Sequence, residues 1–222
     1  PCLDAELPLF IKHQNELHEL NIKTFLPRKS QFRWRDKVNL DVVAESIGVS
    51  HPETRKVMSV GDLDRGVREL GLPLMIKGPY YKAHRVHTIE AAHRYFGKLV
   101  EEWGYPILLQ RIVHGEELNV VGVGDGLGGD VGMVAIRKMT VTELGKIWSG
   151  VTVANEPLID AAKAFVAESK WRGPFELECM VDHDRINLLE INPRFPAWAY
   201  FATGVGVNLP ERLTMLVMDR GC

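Results

Sequence analysis

Apolar residues recur at two different spacings along the chain, and the switches between them mark out helices and strands. Residues 5–20 carry Leu7, Phe10, Ile11, Leu17 and Leu20 at roughly helical intervals, and "IKTFLP" reads as a short strand closed by Pro27. A second helix follows Asp36, with Val38, Leu40, Val42, Val43 and Ile47 on its apolar side and Gly48 at its end. In "SVGDLDRGVRELG", Ser59 is a helix N-cap, Asp62 follows three residues on, and Gly71 is the stop. "PLMIKG", residues 73–78, is a compact strand that ends in a lysine, and Thr88 to Gly104 is the clearest helix. "PILLQRIV", "EELNVVGVGDG" and residues 131–139 read as strands, the last two joined by the Gly-rich turn "DGLGGD". Asn155 caps a helix over about 156–170, with Pro157 near its start. "PFELECMVD" and "INLLEINPR" form a β-hairpin around "HDR", and a last helix starts at Pro210.

Helices and strands are intermixed, and several strands are joined by short turns. This order predicts an α+β architecture with substantial antiparallel sheet rather than a doubly wound parallel one. A division near residue 105 is expected, where the helix-rich first half gives way to strands.

The 222 residues suffice for one large domain or two small ones. Twenty-seven Lys and Arg against 29 Asp and Glu give a formal charge of −2, which offers no general attraction for nucleic acid or an anionic membrane. No apolar stretch approaches the roughly 20 residues of a membrane-spanning helix. The cysteines at 2, 179 and 222 form neither metal spacing nor a disulfide framework, which suits a reducing cytosol. The first residue is Pro1 rather than Met, so an excised piece of a longer protein is expected.

The chemistry concentrates in the hairpin. In "INLLEINPRF" the residues Glu190, Asn192 and Arg194 alternate and so share one strand face, beside the apolar Ile186, Leu188, Leu189 and Ile191. Glu176 and Glu178 share a face of the preceding strand, and a turn at "DHDR" brings Glu176 close to opposite Glu190. Like charges this close repel, and burying them unpaired costs several kcal/mol per ion. A hard divalent cation, Mg²⁺ or Mn²⁺, resolves both problems through carboxylate and amide oxygens. The alternative is a solvated sheet face with Arg185 or Arg194 as salt-bridge partners.

Lys77 stands at the tip of an apolar strand, and Lys37 opens a helix in "RWRDK". Neither belongs to a Walker motif, and "GVGDGLGG" lies between two strands, so it is not a dinucleotide fingerprint. In "LLQRIVHGEE" an extended segment turns at Gly115 into two acids, with backbone groups suited to the edge of a flat heterocycle.

Taken in order, "DK" (36–37), "PLMIKG", "LLQRIVHGEE" (108–117), "GPFELE" (173–178) and "LLEINPRF" (188–195) form a series that resembles the ATP-grasp enzymes. The likeness is to the branch with biotin carboxylase and the large subunit of carbamoyl phosphate synthetase. It covers about residues 22–215, and its most specific element is Glu-x-Asn-x-Arg, placed fourteen residues after the first strand acid.

The resemblance implies two α+β lobes with antiparallel sheet, gripping ATP between the residue 53–113 lobe and the later sheet. It divides the chain into a tail of an N-terminal domain (1–30), a small lobe with linking helices (31–105) and a large lobe with a metal site (106–222). By the same resemblance Lys37 and Lys77 hold ATP phosphates, Gln110, Arg111 and Val113 line the adenine, and Glu117 binds ribose. Glu176, Glu190 and Asn192 ligate Mg²⁺ or Mn²⁺, and Arg194 faces the reacting phosphoryl or acyl-phosphate group. Arg194 and Lys77 are the expected catalytic residues.

The implied reaction is ATP-dependent ligation. A carboxylate attacks the γ-phosphoryl, and an amine then displaces phosphate from the acyl phosphate. Bicarbonate as the carboxylate is one alternative, and an ATP-binding module that needs a partner domain is another. "GPYYKAHR" stands where relatives carry a glycine-rich flap, with Tyr80, Tyr81 and Lys82 as its candidates for covering the nucleotide. Only the end of the usual front domain is present, which implies a truncated chain or a split enzyme. No side-chain nucleophile is needed, so Cys179 and most histidines are expected to be structural. His84 and His114 are the two near the phosphate loop and hinge.

Overall fold

The computed structural model describes residues 3–79, 82–142 and 147–219. Tyr80 and Tyr81 of the expected flap, with Cys2 and Cys222, lie outside the described residues.

The predicted first helix is two short ones, α1 (Leu7–Lys12) and α2 (Gln14–Glu19), separated at His13. Only Leu7 of the two is buried, so no continuous apolar stripe holds them in line. "IKTFLP" is extended but joins no sheet. Its Phe25 and Leu26 are buried, and Arg172 fixes it by donating to the Thr24 carbonyl at 3.1 Å and lying 4.5 Å over the Phe25 ring. After α3 (Lys29–Phe32) come two 3-10 turns, Arg33–Arg35 and Lys37–Asn39, and then α4 (Leu40–Ser46). Leu40, Val43 and Ile47 are buried as expected, whereas Val42 faces solvent.

The first sheet contains β1 (Thr54–Val57), β2 (Leu74–Lys77), β3 (Ala83–Val86) and β4 (Ile107–Arg111), in the order β1-β4-β2-β3, every pair antiparallel. Two capped helices cover one face. In α5 (Val60–Leu70) the Ser59 hydroxyl accepts from the Asp62 N–H, and in α6 (Ile89–Trp103) Thr88 accepts from Ala91. Val57, Leu74, Ile76, Val86, Ile107 and Leu109 pack there against Leu63, Val67, Phe96 and Leu99. Strand alternation turns Thr54, Met75, Lys77 and Gln110 to the opposite face.

The second sheet contains β5 (Glu116–Asp125), β6 (Asp130–Val141), β7 (Ile147–Val153), β8 (Arg172–Asp182) and β9 (Arg185–Asn192), in the order β7-β6-β5-β8-β9, again antiparallel. Its core face buries Leu118, Val120, Phe175, Leu177, Leu188 and Ile191 against α4 and α7 (Glu156–Ser169), the latter capped by Asn155. At one end of the other face, Val121, Val123, Val134 and Ile136 pack with Trp198, Ala202 and Leu209. The last two lie in α8 (Tyr200–Gly204) and α9 (Leu209–Asp219).

Both sheets agree with the α+β expectation, but the boundary moves. Strand β4 is hydrogen-bonded between β1 and β2, so the crossing between sheets lies at 112–115 rather than near 105. Helix α4 joins the core of the second sheet although it precedes β1. Gly115 makes the crossing with φ +146°, where an added Cβ would stand 2.3 Å from the Val181 carbonyl oxygen. Strands β1, β3 and β7 escaped sequence pattern because they are edges, and "TRKV" and "AHRV" carry charge where a buried strand carries apolar residues. Among the described residues no helix is long and apolar enough to cross a membrane.

Candidate functional site

The hairpin of β8 and β9 supplies the acids, but not in the expected register. Glu178 pairs with Glu190, and Glu176 pairs with Asn192. The pairing shifts between Glu178 and Cys179, where Cys179 meets Leu188, so Leu189 is an extra residue and the strand bulges. The pairing set at the turn, Asp182 with Arg185, and this bulge together place Glu190 opposite Glu178 instead of the expected Glu176.

The two acids of β8 differ in what surrounds them. Glu176 is 3% exposed, and its Oε1 accepts from Asn119 Nδ2 and Trp198 Nε1, each at 2.7 Å. Its Oε2 accepts from Asn192 Nδ2 at 2.9 Å, with Arg194 3.8 Å away. Both oxygens of this expected metal ligand are therefore engaged by N–H donors. Glu178 accepts from Asn192 Nδ2 at 2.9 Å and pairs with Lys138 at 3.1 Å. Burial, with the charges of Glu176 and Glu190, pushes its carboxyl up to about 7 against the pull of Lys138. The two carboxylates hold the nitrogen of Asn192, which directs its amide oxygen away from them.

Cations ring this cluster. Lys37 lies 3.2 Å from Glu190. Lys138 bridges Glu117 and Glu178 with its side chain 5% exposed. Burial alone lowers Lys138, but the two acids more than offset this and its pKa is raised. Lys77 donates to Gln110 Oε1 at 2.6 Å, and burial together with Lys37 brings it down to about 8. Gln110 donates in turn to Thr54 Oγ1 at 3.0 Å and toward His51 Nε2 at 3.3 Å. His51 Nδ1 lies 2.8 Å from the Leu188 carbonyl, an acceptor only, so this nitrogen carries the hydrogen and Nε2 accepts. Burial lowers the His51 pKa, which favours the neutral ring, and the Leu188 carbonyl selects that tautomer. One hydrogen-bonded chain thus runs from β9 through His51 and Gln110 to Lys77.

The remaining expected residues divide. Arg111 turns outward to Glu53 at 3.0 Å, while its neighbour Gln110 is buried on the inner face. Arg111, Val113 and His114 line a cavity of about 430 Å³ with His51, Arg185 and Asn187. His84 stacks on Tyr95 of α6, centroids 4.0 Å apart, on the face turned from the site. Arg194 lies at the inner end, 2.8 Å from Asp4. Burial, with the charge of Glu178, raises the Cys179 thiol to about 12, so it has no nucleophile's role. Phe195, Trp198 and Phe201 pack in the second core face, and Tyr200 is exposed.

The donor set suits a hard cation in part. Among the described residues no group of three His, Cys, Asp or Glu could hold a metal ion. Two carboxylates and one amide oxygen leave positions for phosphate oxygens and water, as magnesium at nucleotide sites prefers.

The same arrangement of two antiparallel sheets and helices occurs in solved structures. A biotin carboxylase from Campylobacter jejuni, in complex with β-γ-ATP, superposes with a TM-score of 0.82 over 98% of this chain at 14% identity. The chain has the ATP-grasp fold. A D-alanine–D-alanine ligase from Bacillus anthracis with ATP shares the ATP-grasp architecture at TM-score 0.67, 17% identity and 93% of this chain, 73% of its own. The biotin carboxylase domain of a Hydrogenobacter thermophilus 2-oxoglutarate carboxylase, with MgADP and bicarbonate, gives 0.78 at 14% identity over 94% of this chain and 51% of its own. The chain spans about half, 53%, of the C. jejuni enzyme. No protein-family model matches the chain.

Sequence reasoning missed Lys138, His51, Asn119 and Asp4. Lys138 sits in "AIRKMTV" with no motif around it, and only the register that sets Arg137 opposite Leu118 brings Lys138 beside Glu117.

Proposed function

We propose that this chain forms the nucleotide site of an ATP- and Mg²⁺-dependent ligase that activates a carboxylate as an acyl phosphate and joins it to an amine. The observation that carries this is the Glu178–Glu190 pair, with Asn192 held by Glu176 and Glu178 beside it and with Lys37, Lys77 and Lys138 around it. Lys37 and Lys77 hold the phosphates. Gln110, Arg111 and Val113 border the adenine, the last two through backbone, and Glu117 receives the ribose once Lys138 turns toward phosphate.

Glu178 takes the ligand role first expected of Glu176, alongside Glu190 and Asn192, because Glu176 already accepts three hydrogen bonds. Bound magnesium neutralises phosphate oxygens and acts as a Lewis acid. Arg194 neutralises the transferring group, and Lys77 the leaving one. Such a transfer asks the protein for in-line positioning and fixed charge rather than a nucleophile. A reducing cytosol, with Cys179 free, fits an ATP-dependent enzyme.

Bicarbonate as the carboxylate is favoured by the high TM-scores of two biotin carboxylase structures, 0.82 and 0.78. The test is single-turnover ADP release with Mg-ATP and a carboxylate panel that includes bicarbonate. Glu190→Gln and Lys77→Ala abolish release if the proposal holds, and release that survives both sinks it. Tight Mg-ATP binding without turnover on any carboxylate would instead favour a binding module.

A further inference from the structure

Arg194 is held by a residue far away in sequence. Asp4 lies in the turn before α1, closed by the Glu6 N–H donating to the Leu3 carbonyl at 3.1 Å. Leu7, 1% exposed, pins this segment, and α1 packs on α3. Asp4 itself is 7% exposed. Its Oδ2 accepts from Arg35 at 2.9 Å, while its Oδ1 stands 2.8 Å from Arg194 Nε. The second contact is an ion pair without hydrogen-bond alignment, so Oδ1 is buried and lacks a directed donor. On its other side Arg194 faces Glu176 at 3.8 Å and donates a long 3.4 Å bond to the Phe195 carbonyl. The guanidinium is therefore clamped between two buried carboxylates with its side chain 25% exposed.

A carboxylate serving only to anchor the N-terminal segment would be satisfied by Arg35 alone. Burying a second charged contact without an aligned hydrogen bond is costly, so it adds little to anchoring. Asp4 opposes the pull of Glu176 on Arg194, and without it the guanidinium shifts toward the acid cluster. We infer that Asp4 is a positioning residue that aims Arg194 at the transferring group, so the first turn of the chain belongs to the reaction site. The inference rests on the ligase reading for its kinetic consequence, but not for its geometry.

The test uses the whole chain with ¹⁵N-labelled arginine. The Arg194 Nε–H resonance is assigned by its loss in Arg194→Lys, and Asp4→Asn is expected to shift it. The same variant should lower kcat for ADP release about tenfold while leaving KM for Mg-ATP within about threefold, and it should add little to Arg194→Lys. An unmoved resonance overturns the inference. So does a fall in kcat that multiplies with that of Arg194→Lys, or one that follows only a lowered melting temperature. A shifted resonance in a protein that releases no ADP keeps the aiming contact and removes the ligase reading instead.

Discussion

Glu178 sits among like charges in a buried part of the cluster. Its carboxyl titrates near 7 in the folded chain, well above the ordinary range, because burial and two neighbouring acids disfavour its charge. The folded state therefore keeps a proton that the unfolded chain releases near pH 4.5. This group's contribution to stability is present at low pH and is lost as pH rises toward 7. Without metal, Glu178→Gln should melt higher than the parent at pH 8 and show little difference at pH 5, by thermal denaturation. Mg²⁺ should raise the parent's melting temperature more at pH 8 than at pH 6, since a protonated carboxyl is a poor ligand, and Glu178→Gln should lose most of that rise. Lys77, brought down to about 8, adds a second pH effect: Mg-ATP affinity should weaken as pH passes 8 and an ammonium becomes a neutral amine. Calorimetry across pH 7 to 9 measures it.

The residues at this scale were unequally legible in the sequence. Lys77 at a strand tip and the Glu-x-Asn-x-Arg stripe stand out because charge breaks an apolar run. Which acid stands opposite Glu190 depends on the pairing at the turn and on one bulged residue, Leu189, and register leaves no mark in composition. Lys138 and Asp4 depend on partners 40 and 190 positions away, Glu178 and Arg194, which local pattern does not reach.

At the scale of elements, the crossing at 112–115 and the segment at 50–51 join the two sheets. Ser50 bridges to β9 through its N–H to the Ile186 carbonyl and its carbonyl to the Leu188 N–H, each at 2.8 Å. Next to it, His51 ties the same strand to Gln110 and Lys77. Replacing His51 by Ala removes this link and should weaken Mg-ATP binding about three- to tenfold, the scale of one or two hydrogen bonds, with the fold intact by circular dichroism. Gly115→Ala meets both a left-handed φ and a carbonyl at 2.3 Å, so it should cost at least about 1–3 kcal/mol in chemical denaturation. Long elements such as α6 and α7 were readable because their caps and apolar period agree. The edge strands β1, β3 and β7 were not, since their side chains carry little apolar period.

Over the whole molecule, the sheets do different work. The first presents Lys77 and Gln110 from a face whose reverse is sealed by α5 and α6. The second sets acids beside its own hydrophobic seam, with Trp198 serving both as core and as hydrogen-bond donor to Glu176. The α+β arrangement with antiparallel sheet was legible from element order and its two lobes from the resemblance, whereas the placement of α4 with the second sheet was not, because chain order says nothing of which core a helix joins. The proposed reaction activates a carboxylate by phosphorylation, and oxygen transfer is its sharpest test. With Mg-ATP and ¹⁸O-labelled carboxylates, bicarbonate among them, one substrate should pass a labelled oxygen to the phosphate released. ADP formed with unlabelled phosphate on every substrate would mean that water is the attacking group, and would contradict it.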